Sequence, residues 1–184
     1  MPHGNGTTLQ SIIDAIKNKN LEATIRLVVS DNEDAYALQR AKNASIATYV
    51  IKAKTTKEID EELQIELQKY PVDLIVLAGY LRMIGNHLLE KYTIINTHPS
   101  LLPKFGGKGM YGMNVHRAVI EAKEEYSGVT LHYVNGEYDK GNIIKQTKVK
   151  IEPNDTAETL SAKVQKVEKI QLVEALQEFI NKKI

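Results

Sequence analysis

Apolar positions along this chain switch repeatedly between two periods, and the switching predicts a succession of helices and strands. After a polar opening, Gly4-Asn5-Gly6-Thr7-Thr8, the residues Leu9, Ile12, Ile13 and Ile16 recur at helical spacing. Ile25 to Val29 reads as a strand, Asp31 to Ala41 as a helix with Ala35, Leu38 and Ala41 on one side, and Ile46 to Ile51 as a second short strand. Thr55 to Tyr70 reads as a helix whose stripe of Ile59, Leu63 and Leu67 runs among Glu, Gln and Lys, with Pro71 ending it. Leu74-Ile75-Val76-Leu77-Ala78 is nearly all apolar, the pattern of a parallel strand covered on both faces. Thr93 to Ile95 is a further strand that stops abruptly in Asn96-Thr97-His98-Pro99-Ser100-Leu101-Leu102-Pro103. Asn114 to Lys123 returns to helical spacing, Gly128 to Val134 alternates, and Ile143 to Ile151 is again a strand, so the last two strands are expected to form an antiparallel edge. Asp155-x-x-Glu158 reads as a capping box with Asp155 as N-cap. It opens a long helix with Leu160, Val164, Val167, Val173, Leu176 and Ile180 inward and most of its charge solvated.

Strands alternating with helices predict an α/β fold, a doubly wound, mostly parallel sheet with helices on both faces. Ligands of such sheets sit at the carboxyl ends of the strands. The 184 residues suit one domain, 1–184, with a substantial core. With two Phe and no Trp, that core must rest on Ile, Leu and Val. A net charge of +1 makes no electrostatic case for nucleic acid or a membrane surface. The absence of Cys excludes disulfides, thiolate catalysis and Cys-based metal sites. No apolar run approaches membrane-spanning length and no signal peptide is visible, so a cytoplasmic location is the default expectation.

The candidate chemistry gathers at strand ends. Asn96 and His98 are two apart, so extended backbone points them to the same side, an amide donor beside a group that exchanges a proton near neutral pH. The plain alternative is a strand-ending turn with a structural His. Gly4 to Thr8 opens a helix and so offers free N–H groups to an anion, or else Thr7 or Thr8 is only an N-cap. Tyr80-Leu81-Arg82-Met83-Ile84 lines a pocket or is a buried connection. Lys104 to Gly112 holds four glycines and reads as a shaped loop, and Asn135 to Gly141 carries Glu137 and Asp139. His132 reads as a strand residue facing a neighbour rather than as a catalyst.

Four stretches together resemble a known family. They are Gly-Asn-Gly-Thr before a helix, Leu-Ala-Gly-Tyr-Leu-Arg-Met-Ile at 77–84, Asn-Thr-His-Pro-Ser-Leu-Leu-Pro at 96–103, and Gly-Val-Thr-Leu-His-Tyr-Val with a following Asp at 128–139. In these the chain resembles, over essentially its whole length, the folate-dependent glycinamide ribonucleotide formyltransferases of purine (IMP) synthesis. The resemblance implies transfer of a formyl group from 10-formyltetrahydrofolate to the glycinamide amine, with no metal and only small-molecule partners. It implies Asn96, His98 and Asp139 as the catalytic set. It puts the ribonucleotide phosphate on Gly6, Thr7 and Thr8, and matches Glu168, in Val-Gln-Lys-Val-Glu, to a ribonucleotide contact. It assigns Leu81, Arg82, Met83, Ile84, Asn96, Asn135, Gly136, Glu137 and Tyr138 to the folate, with Lys57 near a folate-contacting Arg of some relatives.

The resemblance also implies a cis Leu102–Pro103 peptide. Thr8 stands where some relatives have Asn, and the Phe105 to Gly112 loop is longer than in some. In this family an apolar strand feeds the Gly4–Thr8 loop, and Met1-Pro2-His3 is too short to replace it. The chain is therefore expected to be N-terminally shortened, with no backbone pairing between Ile25–Val29 and Leu74–Ala78. Competing readings are another folate formyltransferase, such as the tRNA-formylating enzymes with their additional C-terminal domain; a formyl-folate hydrolase; and a non-catalytic nucleotide-binding module.

Overall fold

The structure, a computed structural model, describes residues 5–182; Met1-Pro2-His3 and Gly4 of the expected loop lie outside the described residues. The elements run α1 (Thr7–Lys17), β1 (Val28–Ser30), α2 (Tyr36–Asn43), β2 (Thr48–Val50), α3 (Thr56–Leu67), β3 (Ile75–Leu77), α4 (Asn86–Lys91), β4 (Ile94–His98), α5 (Met113–Glu121), β5 (Tyr126–Tyr133), β6 (Ile143–Lys150) and α6 (Ala157–Lys182). β1 and β2 pair in parallel, as do β3 and β4, while β4–β5 and β5–β6 are antiparallel. This is the α/β architecture that the alternating pattern predicts, with the antiparallel strands at the C-terminal side of the sheet.

The sheet lies in two pieces, β1-β2 and β3-β4-β5-β6, and among the described residues no backbone hydrogen bond joins β1 to β3. That agrees with the expectation of no pairing between these segments. It also explains why β3, although wholly apolar, is only half-buried along its length.

Alternation along β4 divides the core. Ile95 and Leu131, both 0% exposed, face Ile12 of α1 and Leu172 of α6. Ile94 faces the other way, toward Ile59 and Leu63 of α3 and Leu88 of α4. Each such side chain removed fully from water contributes about 1.5–3 kcal/mol. Val129 and Val149 continue the α6 side, packed with Val115 and Val119 of α5 and Leu160 and Val164 of α6.

Several boundaries differ from the sequence expectation. The helix expected from Asp31 starts at Tyr36, because the side chains of Ser30 and Asn32 accept from the backbone N–H groups of Asn32 and Asp34 and hold the chain in turns. The N-cap of α6 is Thr156, not Asp155: Thr156 Oγ1 accepts from Thr159 N, and Thr159 Oγ1 accepts from Thr156 N. Asp155 binds Lys163 instead, and that contact, with donation from Glu152 N and Thr159, holds its carboxyl down at about 2. β4 does not stop at Ile95. Pairing of Asn96 with His132 and His98 with Thr130 keeps its backbone extended through the polar residues. The short helix α4 lies in a stretch the hydrophobic pattern leaves unassigned.

Candidate active site

Strand β4 carries Asn96 and His98 on the face of Ile94, and β5 brings His132 directly opposite Asn96. The Pro-rich exit behind them is held by one buried hydroxyl: Thr130 Oγ1 donates to Ser100 O at 2.7 Å and accepts from Leu102 N at 3.0 Å. The Leu102–Pro103 peptide is cis, as the resemblance implies.

Asp139 closes the cluster from the loop after β5, where its φ of 56° is left-handed. Its Oδ2 accepts from Gly107 N at 2.8 Å. Its Oδ1 lies 3.5 Å from His98 Nδ1 and 3.6 Å from His132 Nε2, between two buried imidazoles. The glycine loop allows this approach, because a side chain at Gly106 would meet Leu102 and Asp139. Left-handed residues at Phe105, Gly107, Gly109 and Gly112 shape the loop as its composition predicts.

Carbonyl oxygens settle which ring nitrogens carry protons, since a carbonyl only accepts. His132 Nδ1–H donates to Tyr133 O at 2.8 Å, so Nε2 is the acceptor for Asn96 Nδ2–H at 3.1 Å. His98 Nε2–H donates to Phe105 O at 2.8 Å, which leaves Nδ1 toward Asp139. Burial pulls the His98 pKa below 6.5 and outweighs the Asp139 carboxylate and the Phe105 carbonyl, which push it up. For Asp139 the balance goes the other way. Burial raises its pKa, but the His132 contact, the proximity of His98 and donation from Gly107 prevail and hold the carboxyl low. The site at rest therefore pairs a carboxylate with an uncharged His98 that is poised to take a proton. Asn96 has one amide hydrogen committed to His132 and a second one free among the described residues.

Of the anion-loop residues, Gly6 is the N-cap of α1 at φ 63°, and a Cβ there would meet Ala37 of α2 at 2.8 Å. Thr7 and Thr8 are the first helical residues and make no side-chain cap, so the N-cap alternative for them is corrected: Gly6 caps with its backbone, and their hydroxyls stay uncommitted to capping. Arg40 braces the loop from α2, Nε donating to Asn5 O at 2.8 Å. Glu168 is not in the His98 cluster; it accepts a hydrogen bond from Thr97, on the opposite face of β4.

The residues assigned to folate come together around two loops. Lys57, Met83, Ile84 and Gly136 line a cavity of about 520 Å³ with Asp60 and Gly85 to His87. Tyr138 Oη donates to Leu81 O at 3.3 Å, and Asn135 Oδ1 accepts from Glu137 N at 3.0 Å, turning the second loop toward the first. Arg82 is engaged by Asp31 Oδ2 at 2.8 Å and by Lys54 O at 3.2 Å.

A family model described as formyl transferase matches residues 1–176. The chain belongs to the formyl transferase family. Among its relatives, phosphoribosylglycinamide formyltransferase of Escherichia coli is 38% identical over 167 residues, covering 88% of this chain and 76% of that protein. The enzyme of the same name from Haemophilus influenzae is 41% identical over 170 residues, covering 90% and 78%. The chloroplastic enzyme of Arabidopsis thaliana is 38% identical over 167 residues, 88% of this chain, and the chain spans only 57% of its length. The crystal structure of phosphoribosylglycinamide formyltransferase from Bacillus halodurans superposes with a TM-score of 0.90 at 34% identity, over 100% of this chain and 94% of that one. Among the described residues no helix is long and apolar enough to cross a membrane.

The sequence pattern marks His132 as a strand residue facing a neighbour, which it is, but does not single out its contact with Asn96, nor Thr97 or the Gly107 N–H. His132 is paired with Asn96 only through the antiparallel register of β4 and β5, which a period-two pattern does not specify.

Proposed function

We propose that this chain transfers a formyl group from 10-formyltetrahydrofolate, a co-substrate, to the amine of glycinamide ribonucleotide in de novo purine (IMP) biosynthesis in the cytoplasm. The observation that carries the reading is the junction of Asn96, His98, His132 and Asp139, in a chain 38% identical to the Escherichia coli enzyme of that name. The 520 Å³ cavity supports the folate assignment, since Ile84 and Met83 offer an apolar wall for a ring system and Lys57, 82% exposed at the rim, offers a cation for an acidic tail. The N-terminus of α1, with Thr7 and Thr8 in its first turn, suits the phosphate.

In this reading a C–N bond forms from the amine to the formyl carbon, the bond from that carbon to the folate nitrogen breaks, and the amine's proton passes to that nitrogen. Negative charge grows on the formyl oxygen, and the free amide hydrogen of Asn96 is aimed at it because His132 holds the other. Losing one such donor costs about 10²–10³ in rate in other enzymes. His98 takes up charge as the amine sheds its proton, with Asp139 beside it stabilising the imidazolium. Much of the remaining acceleration comes from orienting two bound substrates.

The test is a formyl-transfer assay with and without glycinamide ribonucleotide. Formylation that requires the ribonucleotide is the expected result. Folate deformylation without acceptor would make the chain a hydrolase, and binding of both ligands without turnover would make it a binding module.

A further inference from the structure

Glu168 stands in an unusual place. On α6 it continues the row Leu160, Val164, Leu172 at intervals of four, and those three side chains are each 0% exposed. The row faces the sheet, so the carboxylate is set into an apolar stripe. Among the described residues it has no cationic partner, and burial pushes its pKa up despite the Thr97 contact. Thr97 Oγ1 donates to its Oε1, and among the described residues its Oε2 makes no hydrogen bond. A carboxylate so placed is costly to the fold, and a Leu would serve packing better.

We propose that Thr97 is the positioning residue for the ribonucleotide contact of Glu168: its hydroxyl occupies Oε1, fixes the carboxylate plane, and leaves Oε2 to accept from a hydroxyl of the sugar. The inference rests on the proposed function above, together with the resemblance that matches Glu168 to a ribonucleotide contact. Three features support it. Thr97 is 7% exposed and β-branched, so the direction of its hydroxyl is set by β4 rather than by solvent. It sits between Asn96 and His98, so the strand that aims the catalytic pair to one side aims this donor to the other. A hydroxyl has one proton to donate, and this one goes to Glu168. One strand thus sets the relative position of the sugar-binding carboxylate and the formyl-transfer groups.

The test compares Thr97→Val, which keeps the shape and removes the hydroxyl, with Thr97→Ser and Glu168→Gln. Thr97→Val is expected to raise KM for glycinamide ribonucleotide about five- to tenfold, the net worth of about one ordinary hydrogen bond, with a much smaller change in kcat and none in KM for formyl-folate. Thr97→Ser should return KM to within about twofold of the parent, by restoring the donor. In the double variant, Thr97→Val should add little to Glu168→Gln. If Glu168→Gln raises KM and Thr97→Val does not, the positioning role is refuted while the ribonucleotide reading stands. If Glu168→Gln leaves KM and direct ribonucleotide binding unchanged, that reading of Glu168 itself fails. Should Thr97→Val not fold, Thr97→Ala and Thr97→Ser are compared instead, and equal KM values for those two would refute the inference.

Discussion

His98 and Asp139 meet through one nitrogen and one oxygen, 3.5 Å apart, and the consequence for turnover is direct. In the proposed reaction His98→Ala removes a charge that forms only along the reaction path, so kcat is expected to fall about 10²–10³-fold with far smaller changes in substrate binding. Unchanged turnover would take His98 out of the mechanism. His116, 3% exposed on α5 with Nδ1 buried and unpartnered among the described residues, has a different consequence. Burial, with a smaller contribution from the neighbouring His98 imidazole, lowers its pKa from 6.5 to about 4. Between those values the unfolded chain binds a proton there that the folded chain does not, so stability is lost as pH falls from 6.5 toward 4. The span amounts to roughly 3 kcal/mol. His98, depressed in the same direction, adds to the effect. Urea midpoints measured from pH 7 to pH 4 should fall, and His116→Leu should flatten part of that fall; an equal slope in both proteins would contradict it.

Among the elements, α4 depends on its neighbour. It has no side-chain cap of its own. Asp60, 4% exposed on α3, supplies one, accepting from Gly85 N at 3.1 Å and His87 N at 2.9 Å. The fit is close, since a Cβ at Gly85 would come within 2.5 Å of the carboxylate. Asp60→Ala strands two N–H groups at the start of a six-residue helix and should cost about 2–3 kcal/mol in urea unfolding. Because Asp60, Gly85 and His87 also line the cavity assigned to folate, the same variant should weaken formyl-folate binding more than ribonucleotide binding. Equal losses would mean that α4 does not shape that cavity. In contrast α3 carries its own box, Thr55 with Glu58, and was readable from the chain at that end.

At the level of the molecule, the sheet divides between β1 and β3, although Val29 of β1 packs into the same cluster as Ile75 and Leu77 of β3. Backbone groups along those two edges have no strand partner among the described residues. With no strand ladder joining them among the described residues, the two pieces are held by side-chain packing, so Val29→Ala is expected to cost about 1–2 kcal/mol in urea unfolding. An unchanged urea midpoint would show that this packing does not join the pieces.

The chain's own pattern determined which segments are strands and helices, α4 excepted, which face of each is apolar, and that polar groups gather at strand ends. These are local matters: periods of 2 and 3.6 show in any window of adequate length. It determined the pairing of Asn96 with His98, because alternation along one strand needs no partner. Tertiary structure decided what those groups meet. His132 reaches Asn96 through an antiparallel register, Asp139 reaches His98 through a left-handed turn and a bare Gly106, and Thr97 reaches Glu168 across 71 positions of sequence. The starts of α2 and α6 are local too, but Asn32 and Thr156 set them by accepting from nearby backbone donors, a choice the hydrophobic pattern does not distinguish. Long-range register and close approach depend on the packing of several elements at once, and no single stretch of sequence contains them.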